Sequence, residues 1–256
     1  MINLYLYAKI TKSGDIMKRT FLFLALALLL AIFIQPNLAS DINRKERSPK
    51  NANENMIITN ENVSLGTCKS KAIICIDAGN GGADAGFQVD DKKPEKDINL
   101  DLAKKIGEYL SKMGYHIVYT RTDDNINAYE SEDDSAKERI AIAKNQKSDY
   151  LISLQLNSDE DTLTKGYSIF TQQNDKMIHL GNQIDKNLEL INYSQFKGLD
   201  SDHYSNFTIL SDTDLTTVMI ELGYITNSED YNKLTDDSFQ NKIALAIAEA
   251  FLDTIN

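Results

Sequence analysis

From residue 71 onward the chain alternates short apolar runs with longer stretches whose apolar residues recur every three to four positions. This alternation is the pattern of strands joined through helices, and it implies an α/β domain with a largely parallel sheet. The runs that read as strands are AIICIDA (72–78), HIVYTR (116–121), YLISLQL (150–156), GYSIFTQ (166–172), FTIL (207–210) and TVMIEL (217–222). Between them, KDINLDLAKKIGEYLSKMG (96–114) sets Ile98, Leu102, Ile106 and Leu110 on one helix face and closes on Gly114, a good C-terminal stop. DDSAKERIAIAKNQ (133–146) opens on Asp and Ser as caps, and the segments 175–191 and 238–255 repeat the amphipathic spacing. There are no internal repeats. The expected fold is a single α/β domain over residues 71–256, a twisted, largely parallel (mixed) sheet flanked by helices.

Two segments precede that domain. Residues 41–70 are polar, Asn-rich and without period, which reads as a linker. Residues 1–40 contain one strongly apolar run, 21–34, preceded by Lys18 and Arg19 and followed by Pro36, Ala39 and Ser40. The run fits the apolar core of a secretory signal better than the ~20 residues a transmembrane helix needs. Export is therefore expected, with cleavage near Ser40 or retention as a signal anchor, since Leu38 spoils a clean small-residue cleavage site. Met17 can open a conventional signal by itself, so residues 1–16 fit an early start codon. A formal net charge of -11 argues against sequence-independent nucleic-acid binding, which needs basic residues to neutralise phosphates. Cys68 and Cys75 are expected to be unpaired, Cys75 lying inside a buried strand pattern.

The polar residues gather where such sheets hold their ligands. Asp77 and Asn80 follow the first strand, Gln155 and Asn157 close the third, Glu221 ends the last, and Glu95 lies just ahead of the first helix. Ligands on α/β sheets bind at the carboxyl edge of the strands. In CIDAGNGG (75–82), Gly79, Gly81 and Gly82 allow a sharp turn that presents Asn80, yet asparagine is neither a base nor a good ligand for a borderline-soft metal. Glu221 is flanked by apolar residues, so its pKa should rise toward that of a useful general base; a carboxylate capping a neighbouring loop is an equal reading.

The runs AIICIDAGNGGADAG, EKDINLDLAKKI, RIAIAKNQKSDYLISLQLNS and TVMIELGYITNSEDYNKL resemble, in order and spacing, the zinc-dependent N-acetylmuramoyl-L-alanine amidases that cut peptidoglycan. The likeness covers residues 71–256. In that family an Asp-Pro-Gly-His-Gly-Gly turn supplies a zinc-binding histidine, a glutamate before the first helix a second ligand, and a Ser-x-His-x-Asn stretch the third. A Glu-x-Gly-Phe-x-x-Asn segment supplies a catalytic glutamate. The resemblance implies that Glu95 keeps a ligand position and Glu221 the catalytic one, whereas the two histidine positions hold Asn80 and Gln155. Ala78 and Ala85 stand where the family has proline, while Asp84 and Gly86 match.

Two substitutes for the missing ligands are available in the sequence. Of His116, His179 and His203, only His203, in a loop, has a route to the site. Asn80, Gln155, Glu95 and Asp77 together offer oxygen donors of the kind calcium or magnesium selects, with little negative charge to hold either ion. The resemblance thus implies an exported cell-wall protein that binds peptidoglycan or another cell-envelope protein, needs no cofactor and is impaired as a hydrolase. Its competitors are an active amidase with zinc in altered ligation, and a partner-binding scaffold.

Overall fold

The computed structural model describes residues 71–255; the leader, linker and Cys68 read from the sequence lie outside the described residues. In chain order the elements are β1 (Ile73–Ala78), α1 (Glu95–Lys112), β2 (His116–Tyr119), α2 (Glu132–Asn145), β3 (Tyr150–Asn157), β4 (Tyr167–Thr171), α3 (Asp175–Leu190) and β5 (Phe196–Asp200). A 3-10 turn (Tyr204–Asn206) leads to α4 (Thr208–Ser211), β6 (Thr216–Tyr224), α5 (Ser228–Thr235) and α6 (Asp237–Thr254). The strands form one sheet in the order β2-β1-β3-β6-β4-β5. The first four of these run parallel, β4 pairs antiparallel with β6, and β5 runs parallel to β4. The sheet is therefore largely parallel but mixed, as the alternation predicted.

Successive side chains of a strand point to opposite faces, so each strand serves two cores. Ile74, Ile76, Ile152, Leu154, Val218 and Ile220 belong to the larger core, with Ile98, Leu102, Ile106 and Leu110 of α1 and Ile243, Ile247 and Phe251 of α6. Cys75, which is free, joins Leu151 and Met219 in a smaller core with Ala136, Ile140 and Ala143 of α2 and Ile209 and Leu210 of α4. Each large side chain so buried contributes roughly 1.5–3 kcal/mol. The same period places the chemistry. Asp77, Ser153 and Met219 stand abreast in register across β1, β3 and β6, and one row nearer the carboxyl edge Gln155 stands beside Glu221.

Two expectations need correction. Residues 207–210 are not a strand: Thr208–Ser211 makes a single helical turn that buries Ile209 and Leu210 in the smaller core. A short apolar run does not by itself tell strand from helix. The strand in this region is instead β5, FKGLD, whose Lys197 is exposed and whose Gly198 has a φ of 142°. It is a sheet edge, where charge and glycine are ordinary and an apolar alternation is not required. The second helix also begins earlier than its sequence suggested, because Ser131 is the cap and accepts the Asp134 N–H at 3.1 Å.

Candidate functional site

The turn after β1 is held from beneath by Arg121. Its Nε donates to the Ala78 carbonyl at 2.9 Å, and its Nη2 to the carbonyls of Gly79 at 3.2 Å and Lys96 at 2.7 Å. Lys96 Nζ donates to the Gly82 carbonyl at 2.8 Å, and Asp124 accepts the Gly82 N–H at 2.7 Å. Within this frame Asn80 adopts a φ of 60°, a left-handed conformation that asparagine tolerates better than most residues. Its Nδ2 donates to Asp84 Oδ2 at 2.9 Å, and Asp84 Oδ1 accepts the Gly86 N–H at 2.9 Å. With the amide nitrogen committed to Asp84, Asn80 Oδ1 is left buried and without a partner. A Cβ on Gly86 would lie 2.6 Å from Glu95 Oε2 and 2.8 Å from Asn80 Oδ1, so glycine is what lets these two oxygens approach the same point.

Glu95, the first residue of α1, is 3% exposed. Its Oε1 accepts the Leu156 backbone N–H at 2.6 Å and its Oε2 the Phe87 N–H at 3.0 Å, while Asn99 Nδ2 adds a 3.4 Å contact to Oε1. Burial pushes its pKa above the usual carboxylate value; these N–H donors oppose the shift, and the charge of Asp84 adds to it. Glu221 accepts from Asn157 Nδ2 at 2.9 Å. Burial raises its pKa as well, against the Asn157 hydrogen bond and with the charge of Glu95. The Gln155 amide lies flat over Gly79, where a Cβ would stand 2.4 Å from both its oxygen and its nitrogen.

Asn80, Asp84, Glu95, Gln155, Asn157 and Glu221 line one open cleft of about 940 Å³, walled by residues of α2 and of the segment 206–209. The structure thus brings these six residues together, but not Asp77. That carboxylate is fully buried beneath the cleft and committed to the protein: Oδ1 accepts from Thr120, and Oδ2 from Ser153 and from Arg139, all at 2.7 Å. It is no donor for a hard cation in the cleft. His203 is no substitute ligand either; it pairs with Asp200, its side chain is 69% exposed, and it does not line the cleft, nor do His116 and His179. Among the described residues, no three of His, Cys, Asp and Glu come together as a metal-binding group. Sequence reasoning missed Arg139, which lines the cleft and anchors Asp77. Its signal is an arginine between the apolar residues Ala136, Ile140 and Ala143 that bury α2.

A cleft at the carboxyl edge of parallel strands, with carboxylates from a helix start and a strand end, defines an α/β ligand-binding or hydrolase domain. The chain belongs to the N-acetylmuramoyl-L-alanine amidase family, whose sequence model matches residues 74–253. The protein YqiI of Bacillus subtilis is 31% identical over 176 residues, covering 68% of this chain and 80% of that protein. LytH of Staphylococcus epidermidis, named a probable cell wall amidase, is 28% identical over 198 residues, covering 75% of this chain but only 61% of its own length. Among solved structures, the CwlD amidase of Clostridioides difficile, determined in complex with the GerS lipoprotein, superposes with a TM-score of 0.62. That match is 28% identical and covers 72% of this chain and 98% of CwlD.

Proposed function

We propose that this chain is an exported cell-wall protein of the amidase fold that binds peptidoglycan and is impaired as a zinc hydrolase. The observation that carries the reading is the donor set at the floor of the cleft. A catalytic zinc takes about three protein ligands, with imidazole nitrogen or thiolate preferred. Here the set is one carboxylate, Glu95, with both oxygens already accepting backbone N–H groups, and two neutral amides, Asn80 and Gln155. These donors do not fit a catalytic zinc. What the residues support is holding: Glu95 ties the start of α1 to the end of β3, and Glu221 and Asn157 present a fixed hydrogen-bonding pair.

In this reading residues 1–40 direct export, residues 41–70 are a spacer, and residues 71–256 are the wall-binding domain. The relatives named as cell wall amidases support the location, and the CwlD–GerS complex supports a second envelope protein as an additional partner. A second reading, an active amidase with altered metal ligation, draws on the buried, unpartnered Asn80 Oδ1 and on the retention of Glu95 and Glu221.

The test incubates the purified full chain with intact peptidoglycan, with and without added zinc, and counts freed L-alanine amino termini alongside co-sedimentation. Co-sedimentation without release supports the proposal. Release that disappears in Glu95→Ala and in Glu221→Ala overturns it in favour of the active amidase.

A further inference from the structure

Arg139 is the only basic residue lining the cleft among the described residues, and it is 7% exposed. Its Nη1 is bound to Asp77 and its Nε to the Ser135 carbonyl at 3.3 Å, whereas Nη2 has no acceptor among the described residues. Nη2 is not sealed from solvent. Arg139 lines both the main cleft and a neighbouring pocket of about 250 Å³ that also reaches Tyr129 and Asn125. Asp77, locked by Thr120 and Ser153, fixes the direction of that free edge.

The rest of the cleft decides what such an edge can receive. Asp84, Glu95, Glu132, Asp133 and Glu221 all line it. The guanidinium charge is already matched by Asp77, and Lys137 reaches only Asp133 and Asp134 from a largely exposed position. A free carboxylate entering here would meet like charges with no unmatched cation, an arrangement that costs binding and suppresses wrong partners. An uncharged oxygen acceptor would not. Gln155 completes the pattern. Its amide makes no hydrogen bond among the described residues, is not sealed, and is seated on Gly79, so it offers one acceptor and two donors to the cleft. The group that complements an amide while leaving an acceptor for a guanidinium is another amide.

We propose that the cleft recognises an uncharged amide of its ligand through Gln155 and the free edge of Arg139, and rejects the same ligand when that group is a free carboxylate. This rests on the reading that the domain binds peptidoglycan, and it narrows the ligand to stem peptides whose carboxyl groups are amidated. The N-acetyl groups of the sugars carry the same chemistry and form the second source to be distinguished.

The test titrates the purified full chain, in the presence of a chelator, with three probes: a muramoyl peptide with its side-chain carboxyls amidated, the identical peptide with those acids free, and an N-acetylated glycan without stems. The amidated peptide is expected to bind about tenfold or more tightly than the free acid, because a site built for one hydrogen-bonding partner rejects the analogue that leaves its groups mismatched. The ratio should shrink as salt screens the acidic wall. Gln155→Glu should abolish the preference without altering the melting profile. Arg139→Lys, which keeps the charge beside Asp77, should weaken the amidated probe selectively if it folds, and Gln155→Glu decides the matter if it does not. Glycan binding as tight as that of the amidated peptide, and sensitive to Gln155→Glu, would keep the amide site but assign it to the sugars. Equal binding of the two peptides, or binding indifferent to Gln155→Glu, overturns the inference while leaving wall binding intact. Failure to bind any probe or intact peptidoglycan would instead remove the function on which it rests.

Discussion

Arg139 Nη1 stands 2.7 Å from Asp77 Oδ2, in an ion pair whose side chains are 9% and 0% exposed. The pair ties α2 to the centre of the sheet directly beneath the cleft, and Ser153 and Thr120 satisfy the rest of the carboxylate. Removing one partner strands a buried charge. Arg139→Met is therefore expected to cost about 3–5 kcal/mol, while Asp77→Asn combined with Arg139→Met should recover part of that loss. Ser153→Ala, which removes one hydrogen bond to the carboxylate, should cost about 1–3 kcal/mol. Urea unfolding of Arg139→Met, Asp77→Asn and the double variant measures the coupling; additive losses would show that the two side chains are energetically independent.

Glu221 and Glu95 both have pKa values raised by burial, and the charge of Glu95 raises that of Glu221 further. The folded state therefore binds these protons more tightly than the unfolded chain, whose glutamates titrate near 4.5. The stabilisation from the protonated forms is complete below that value and is lost as pH rises through the folded pKa values. Glu221→Gln keeps an acceptor for Asn157 without a charge to desolvate. It should flatten the fall in stability above pH 4.5 and raise stability at neutral pH. Thermal melts across pH test this, and an unchanged pH profile in Glu221→Gln would assign the dependence to other groups. Glu221→Ala, which removes the acceptor as well, should be less stable than Glu221→Gln.

The architecture was legible because β1, β3 and β6 are apolar on both faces and α1 carries a clean apolar stripe, signals that hold whatever the neighbours do. The cleft residues were legible for a related reason: they sit at strand ends and at a helix start, positions that sequence order already brings to one sheet edge. Three features were not legible. The edge strand β5 has only Phe196 and Leu199 as apolar residues, and the one-turn α4 is too short to show a helical period. The commitment of Asp77 to Arg139 joins residues 62 positions apart, a pairing that follows from α2 packing on one particular face. The sequence placed Asp77 and Asn80 side by side at the turn; that one is buried structure and the other faces a cavity emerges only with the third dimension.

The apolar run 21–34, preceded by Lys18 and Arg19, leads to a prediction about location. The domain should lie outside the cytoplasmic membrane. Protease added to intact, wall-stripped cells should degrade it, and complete protection until lysis would contradict export. The amino terminus of the mature protein separates the two forms of export, since a product beginning near residue 41 means cleavage and one retaining residues 21–34 means an anchor.

The last prediction concerns the donor set itself. If Asn80 and Gln155 are what keep zinc from the cleft, the purified full chain should carry far less than one zinc per molecule, and Asn80→His with Gln155→His should restore binding beside Glu95. Loss of groups that merely orient a ligand changes metal affinity by about 10–100-fold, so supplying two direct imidazole donors should exceed that range. The restoration has a structural cost that must be followed. Asn80→His breaks the bond to Asp84, which also accepts the Gly86 N–H, and requires histidine at a φ of 60°, a conformation that histidine reaches more readily than most residues. Gln155→His must fit its ring over Gly79, where the present amide already lies in close contact. A melting profile near that of the parent therefore has to accompany the measurement. Chelator competition on the folded double variant gives the answer: a large rise in affinity places both residues at the metal positions, and no rise in a well-folded protein means that they do not occupy them.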